Sequence, residues 1–251
     1  MSVLNKTAQL IEELGSVDTP LRLGAIAEAL SLPKSTTHRL LNELTELGLV
    51  TRCADGQYAI GTRLLRWGQL ANSHVGLKAV ALPVMTRLRD QMQESVLLTV
   101  REGTNRVAIA SVDSANVLRP VLPLGTRRTL GRGASGMVLL AYSNERLSEE
   151  VRLQLDEEGR RALVTPRQLK TIRQRGWAVS DSSMESGLLA VAAPILDDQG
   201  QVIAALAVAG ATARMPRERV ADFVSPTLAA AEEISASVRG GMSAATVGET
   251  A

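Results

Sequence analysis

The apolar positions of the first sixty residues recur at helical spacing and stop at punctuating residues. Val3, Leu4, Ala8, Leu10, Ile11 and Leu14 form a stripe ended by Gly15, which predicts a helix over residues 3–15. Thr19 and Pro20 then break the chain. Ile26, Ala27 and Leu30, a turn of Ser31, Leu32 and Pro33, and then Leu40, Leu41, Leu44 and Leu47 predict two helices across a three-residue turn, the second over residues 34–47. That is the pattern of a helix-turn-helix, with Ala27 small because the second helix crosses there. Lys34, Ser35, Thr36, Thr37, His38 and Arg39 open the second helix; all are polar and none is acidic, and they are expected to face outward. Such side chains reach base edges and phosphates of a duplex. Gly48 stops the helix, and residues 49–51 and 58–60 flank Ala54, Asp55, Gly56 and Gln57, a hairpin with an Asp-Gly turn. This wing carries Arg52, so the predicted DNA contacts are the six polar residues and Arg52.

Helical spacing continues over residues 61–73, with Leu64, Trp67 and Ala71 on one side, and over residues 75–93, where Pro83 marks either a kink or the first turn of a new helix. The domain boundary is expected between Ala71 and Leu77. The pattern then changes. Residues 95–101 and 106–113 are β-rich runs joined by Glu102, Gly103, Thr104 and Asn105, and residues 117–122 are a candidate further strand. Helical patterns follow at 134–142, 145–158 and 166–175, two strongly apolar strands at 188–195 and 202–209, and a last helix at 216–238. Hairpins with helices against them make an α+β domain. The tail, residues 241–251, is small and polar and is expected to be disordered.

Composition narrows the function. Aromatic residues make up 2% of the 251-residue chain, which disfavours stacking on single strands and leaves duplex as the nucleic-acid partner. The net charge is only +2, and residues 1–70 hold seven Lys/Arg against seven Asp/Glu, so a basic face must come from distribution. Glu12, Glu13 and Asp18 lie in or just after the first helix, whereas Lys34, Arg39 and Arg52 lie on the second helix of the motif and the wing. Cys53 is the single cysteine, which excludes an intrachain disulfide framework and fits a cytoplasmic location. No segment reads as a signal peptide or a membrane span.

Gly131, Arg132, Gly133, Ala134, Ser135 and Gly136 match GxGxxG literally. A dinucleotide site needs a buried strand just before the first glycine and an acid some 20 residues on. Residues 125–130 carry two arginines and no strand-like run, so the better reading is a helix start without large side chains, suited to an anion. His38 and His74 stand alone, and no Ser, His and acid grouping is legible, which predicts no catalytic residues. Asp181, Glu185, Asp197 and Asp198 are a weak carboxylate cluster, read as solvated loop acids; neither a metal nor a cofactor is expected.

The chain resembles the IclR family of bacterial transcriptional regulators over nearly its whole length. The resemblance is carried by LPKSTTHRLLNELTELGLV, GQYAIGTRLLRWGQL, LPLGTRRTLGRGASGMVLLAY and, most specifically, RGWAVSDSSMESGLLAVAAPILDDQGQVIAALAVAGATARM. It implies a winged helix-turn-helix over residues 1–70, a linker helix region 71–80 and a GAF-like α+β effector-binding domain over 81–240. It further implies a homodimer or dimer of dimers on pseudo-palindromic duplex operators, responding to a small-molecule effector, often a carboxylate. Where many members carry adjacent acids this chain has Ser182 and Ser183, and Ala190 stands where many carry a cysteine, so ligand identity does not transfer. The expected effector site is Leu130, Arg132, Gly133, Ala134, Ser135 and Gly136 against Asp181, Ser182, Ser183, Ala190 and Ala192, with Arg132 either pairing with the anion or pointing to solvent. A metabolite-binding protein or enzyme using its N-terminal domain only for assembly is the alternative.

Overall fold

A computed structural model describes residues 2–17, 19–70, 75–157, 165–181 and 187–246. It divides into two compact units, residues 1–73 and 74–251.

In the first unit, α1 (Val3–Gly15), α2 (Leu23–Ala29) and α3 (Lys34–Glu46) precede an antiparallel hairpin of β1 (Val50–Arg52) and β2 (Tyr58–Ile60), followed by α4 (Thr62–Leu70). Leu10, Leu14, Ile26, Leu40, Leu41, Leu44 and Tyr58 form its core, and Ala27 is buried. The hairpin is locked to the end of α3. The Gly61 amide donates to the Leu49 carbonyl at 2.9 Å, and Arg63 Nη1 donates to the Leu47 carbonyl at 2.8 Å, satisfying a helix-end acceptor. A Cβ on Gly61 would lie 2.3 Å from the Gly48 carbonyl oxygen, so only glycine lets the wing return this closely.

The second unit is built on a six-stranded antiparallel sheet in the order β5-β4-β3-β8-β7-β6: β3 (Ser95–Glu102), β4 (Asn105–Val112), β5 (Arg127–Thr129), β6 (Ala178–Asp181), β7 (Leu188–Leu196) and β8 (Val202–Ala211). One face packs on α5 (Val75–Met92) and α9 (Val220–Thr246) through Val96, Leu98, Val191, Ile195, Leu206 and Val208. The other face meets α6 (Gly133–Ala141), with α7 (Glu145–Glu157) and α8 (Pro166–Arg175) beyond it. Successive strand residues point to opposite faces, and here the two faces differ in bulk. Ala190 pairs with Ala209 and Ala192 with Ala207, giving an alanine floor on which α6 can lie close.

Four expectations need correcting. Residues 117–122 form no strand, because Pro120 and Pro123 lack amide donors; the edge strand is β5, three residues long, in the stretch read as having no strand-like run. The alternation also hid β6, only four residues long. Pro83 does not start a new helix, because α5 runs through it. The last helix continues past Gly240 and Gly241 to Thr246, so residues 241–246 are not an irregular tail. Gly240 lacks the left-handed conformation with which Gly176, at φ 80°, ends α8.

Candidate functional site

The start of α3 presents Lys34, Ser35, His38 and Arg39 as exposed side chains on one side of the helix, with Thr36 half-buried beside them. Thr37 corrects the expectation of six outward residues. It is 0% exposed, and its Oγ1 donates to the Pro33 carbonyl at 3.2 Å. The signal was available: Thr37 precedes Leu40, Leu41 and Leu44 by three, four and seven residues, which puts it on the buried stripe. Arg39 Nη1 pairs with Glu43 Oε1 at 2.8 Å one turn on, and His38 Nδ1 lies 3.5 Å from Asn42 Nδ2. Arg52 is exposed on the wing, its guanidinium 5.9 Å from the centre of the Tyr58 ring.

In the second unit a cavity of about 100 Å³ lies between the alanine floor and the start of α6. Gly133, Ala134 and Ser135 form its helix side, Ala190, Ala207 and Ala209 its floor, and Leu97, Leu122 and Leu188 add apolar surface. Gly131 and Gly133 hold φ of 77° and 67°, the left-handed turn that brings the chain into α6 and that side chains disfavour. Arg132, the residue preceding the helix, supplies no side-chain cap, and the first turn contains no acid. The uncapped first amides and the peptide dipoles make this end electropositive.

The structure brings only part of the expected effector set to the cavity. Gly133, Ala134, Ser135 and Ala190 line it. Leu130 and Ala192 are fully buried in the packing under α6 and do not line it, because α6 covers them. Gly136 faces Arg106, Arg132 is half-buried outside the lining with its own polar interaction, and Asp181 lies at the exposed end of β6, 3.6 Å from Arg217. Ser182 and Ser183 lie outside the described residues, as do His74 and Glu185. The proposed acidic cluster is not assembled: Asp181 is level with Leu189 near one end of β7, whereas Asp197 follows the other end, roughly 25 Å of strand away. Asp197 instead accepts from the amides of Gln199 and Gln201 in a turn. No group of three metal-ligating side chains occurs among the described residues.

Two arginines were missed. Arg106 on β4 and Arg128 on β5 stand opposite each other in the sheet register and both line the cavity. Arg106 is 9% exposed, and its Nε is buried without a hydrogen-bond partner. Burial, and then the charge of Arg128, push its pKa down to about 10. Alternation along residues 105–112 places Arg106 on the α6 side, but a bulge and a distant partner strand conceal which residues share that face. Two wider grooves, of about 650 and 630 Å³, border α7; the charges there include Arg152 paired with Glu149 and Asp156, and Arg146 paired with Glu150.

Residues 3–53 match the IclR helix-turn-helix domain and residues 69–236 match the domain described as bacterial transcriptional regulator IclR C-terminal. The HTH-type transcriptional regulator KipR of Bacillus subtilis is 28% identical, covering 86% of this chain and 88% of its own. The probable transcriptional regulator SauR of Cupriavidus necator is 30% identical, covering 90% and 92%. Among solved structures, an IclR homologue from Microbacterium hydrocarbonoxydans complexed with 4-hydroxybenzoate superposes with a TM-score of 0.78 at 25% identity, covering 95% of this chain and all of its own.

Proposed function

This chain belongs to the IclR family of bacterial transcriptional regulators, whose members bind DNA and small-molecule effectors, and from that premise we propose which of its residues carry each task. Lys34, Ser35, Thr36, His38 and Arg39 enter the major groove of a duplex operator while Arg52 on the wing neutralises phosphate. The effector is a small organic acid whose carboxylate sits on the amides at the start of α6, with its body over the alanine floor. The observation that supports this reading is the uncapped, acid-free start of α6 opening into a pocket otherwise lined largely by apolar side chains. The homologue bound to 4-hydroxybenzoate carries a ligand of the same chemistry, a carboxylate on an apolar body. The cavity here, about 100 Å³, suits a shorter acid.

Assembly and place in the cell belong to the same proposal: a cytoplasmic homodimer or dimer of dimers on two half-sites. Leu65 is 67% and Trp67 45% exposed on α4, and Val3 and Leu4 are exposed on α1, apolar surface suited to a second copy. No helix among the described residues is long and apolar enough to cross a membrane.

The test is titration of operator binding with short carboxylates for the wild type and for Ser135→Asp, which places a negative charge against the α6 start. The variant is expected to bind operator normally and lose the response. An unchanged response would move the effector site elsewhere.

A further inference from the structure

Arg106 is held in a state that a bound anion would relieve. Its guanidinium is nine-tenths buried, its Nε has no hydrogen-bond partner, and none of the described carboxylates is paired with it. Even with its pKa lowered to about 10, the guanidinium stays charged at neutral pH, so deprotonation is not an escape there. The side chain lies along the first turn of α6: a Cβ placed on Gly136 would meet Arg106 Cδ at 3.4 Å and Nε at 3.5 Å, ordinary contact distances. Arg128, directly opposite in the register, adds a like charge at a position where like charges destabilise the pair.

The cavity therefore holds two separate electropositive features. One is backbone, the amides at Gly133, Ala134 and Ser135; the other is a side chain, the buried guanidinium of Arg106 reinforced by Arg128. We infer that the effector is a dianion, with negative charge placed on the α6 start and on Arg106 together. This rests on the proposed effector pocket and names the class of acid it takes. A compact dicarboxylate supplies the two charges on two groups; a phosphoryl group supplies them on one. A buried, hydrogen-bond-poor guanidinium is costly in the free protein, and a ligand carrying the missing acceptor recovers that cost on binding.

The experiment uses the full chain and calorimetric titration with acids matched in carbon number: malonate against propionate, and succinate against butyrate, with inorganic phosphate and methyl phosphate as the phosphoryl arm. In the wild type at least one dianion is expected to bind about tenfold or more tightly than the monoacids, the factor associated with one hydrogen bond between charged groups. Arg106→Met should reduce that preference to within about twofold, and without ligand it should melt no lower than the wild type, because an apolar side chain replaces an unpaired buried charge. Arg106→Lys, which keeps the charge, should retain part of the preference. Binding by the phosphates alone would support the dianion with a phosphoryl head; binding by the dicarboxylates would assign two carboxylates. Monoacids that bind as tightly as every dianion, or a dianion preference that survives in Arg106→Met, would overturn the inference. In the first case, loss of monoacid binding in Ser135→Asp would leave the carboxylate site itself standing. Absence of binding by all four dianions at millimolar concentration would also overturn the inference.

Discussion

Arg214 grips the carboxylate of Glu94 with two hydrogen bonds, Nε to Oε1 at 2.5 Å and Nη2 to Oε2 at 2.9 Å, and the same Nη2 reaches the Leu118 carbonyl at 2.8 Å. Glu94 is 2% exposed at the foot of β3, and Leu118 lies in the segment whose Pro120, Val121 and Leu122 wall the cavity. One arginine thus neutralises a buried acid and ties the cavity wall to the sheet. Gly210 makes the space: a Cβ there would fall 2.4 Å from Glu94 Oε2 and 2.9 Å from Met215 Sδ.

Arg214→Ala strands the Glu94 carboxylate in the interior. It should cost about 3 kcal/mol, the lower end of the range for breaking a buried pair because the arginine is itself partly exposed. Glu94→Gln combined with Arg214→Met should recover much of that loss. Urea unfolding of the three proteins measures both, and a loss below about 1 kcal/mol for Arg214→Ala would mean that water takes over the arginine's role.

Glycines in the first unit give a paired prediction. Gly61→Ala drives a methyl into the Gly48 carbonyl and should destabilise that unit by about 3 kcal/mol, since the contact is backbone and cannot rotate away. Gly24→Ala in α2 meets nothing within 4 Å and should stabilise by about 0.5–1 kcal/mol through the higher helix propensity of alanine. Differential calorimetry on the full chain would show the two changes in opposite directions.

On α3 the exposed and buried hydroxyls should separate. Thr37→Val, isosteric and buried, should leave operator preference intact, whereas Ser35→Ala should weaken the preferred operator by about 1–3 kcal/mol per half-site if it touches a base edge. Loss of the Lys34 or Arg52 charge should lower the slope of log affinity against log salt by about 0.9 per contact, hence about 1.8 for two half-sites. Arg39 is tied to Glu43 without DNA, so Glu43→Gln should strengthen operator binding and Arg39→Ala weaken it. Fluorescence anisotropy at several salt concentrations distinguishes these outcomes. Unchanged affinity in Arg39→Ala would remove this helix from the interface.

The exposed side chains of α4 predict how copies associate. Leu65→Glu with Trp67→Glu should shift sedimentation toward the monomer at micromolar concentration while leaving the helical circular dichroism signal in place. A double variant with undiminished mass would place the dimer contact on other surfaces.

Most of the element list was legible in the order of residues, because its signals are local. The stripe of Leu40, Leu41 and Leu44, the Asp-Gly turn of the wing and the apolar run of β7 each arise within one or two turns of helix or one strand, where the residues themselves carry the signal. Thr37 follows the same rule: its position on the stripe, not its polarity, decides its burial. Short edge pieces such as β5 and β6 were not legible, since three or four residues carry too little periodicity to be recognised. The cavity required the tertiary structure. Arg106 and Arg128 are opposite each other only because β5 pairs with β4, and they share a pocket with Ala190 and Ala209 only because the strand order runs β5-β4-β3-β8-β7. Strand order is set by the competition among distant segments to bury their larger faces against α5 and α9, a global packing choice that no local spacing records. The sequence by itself therefore determined most of the elements, the helix-turn-helix and its family, whereas only the folded sheet decided which charges line the cavity.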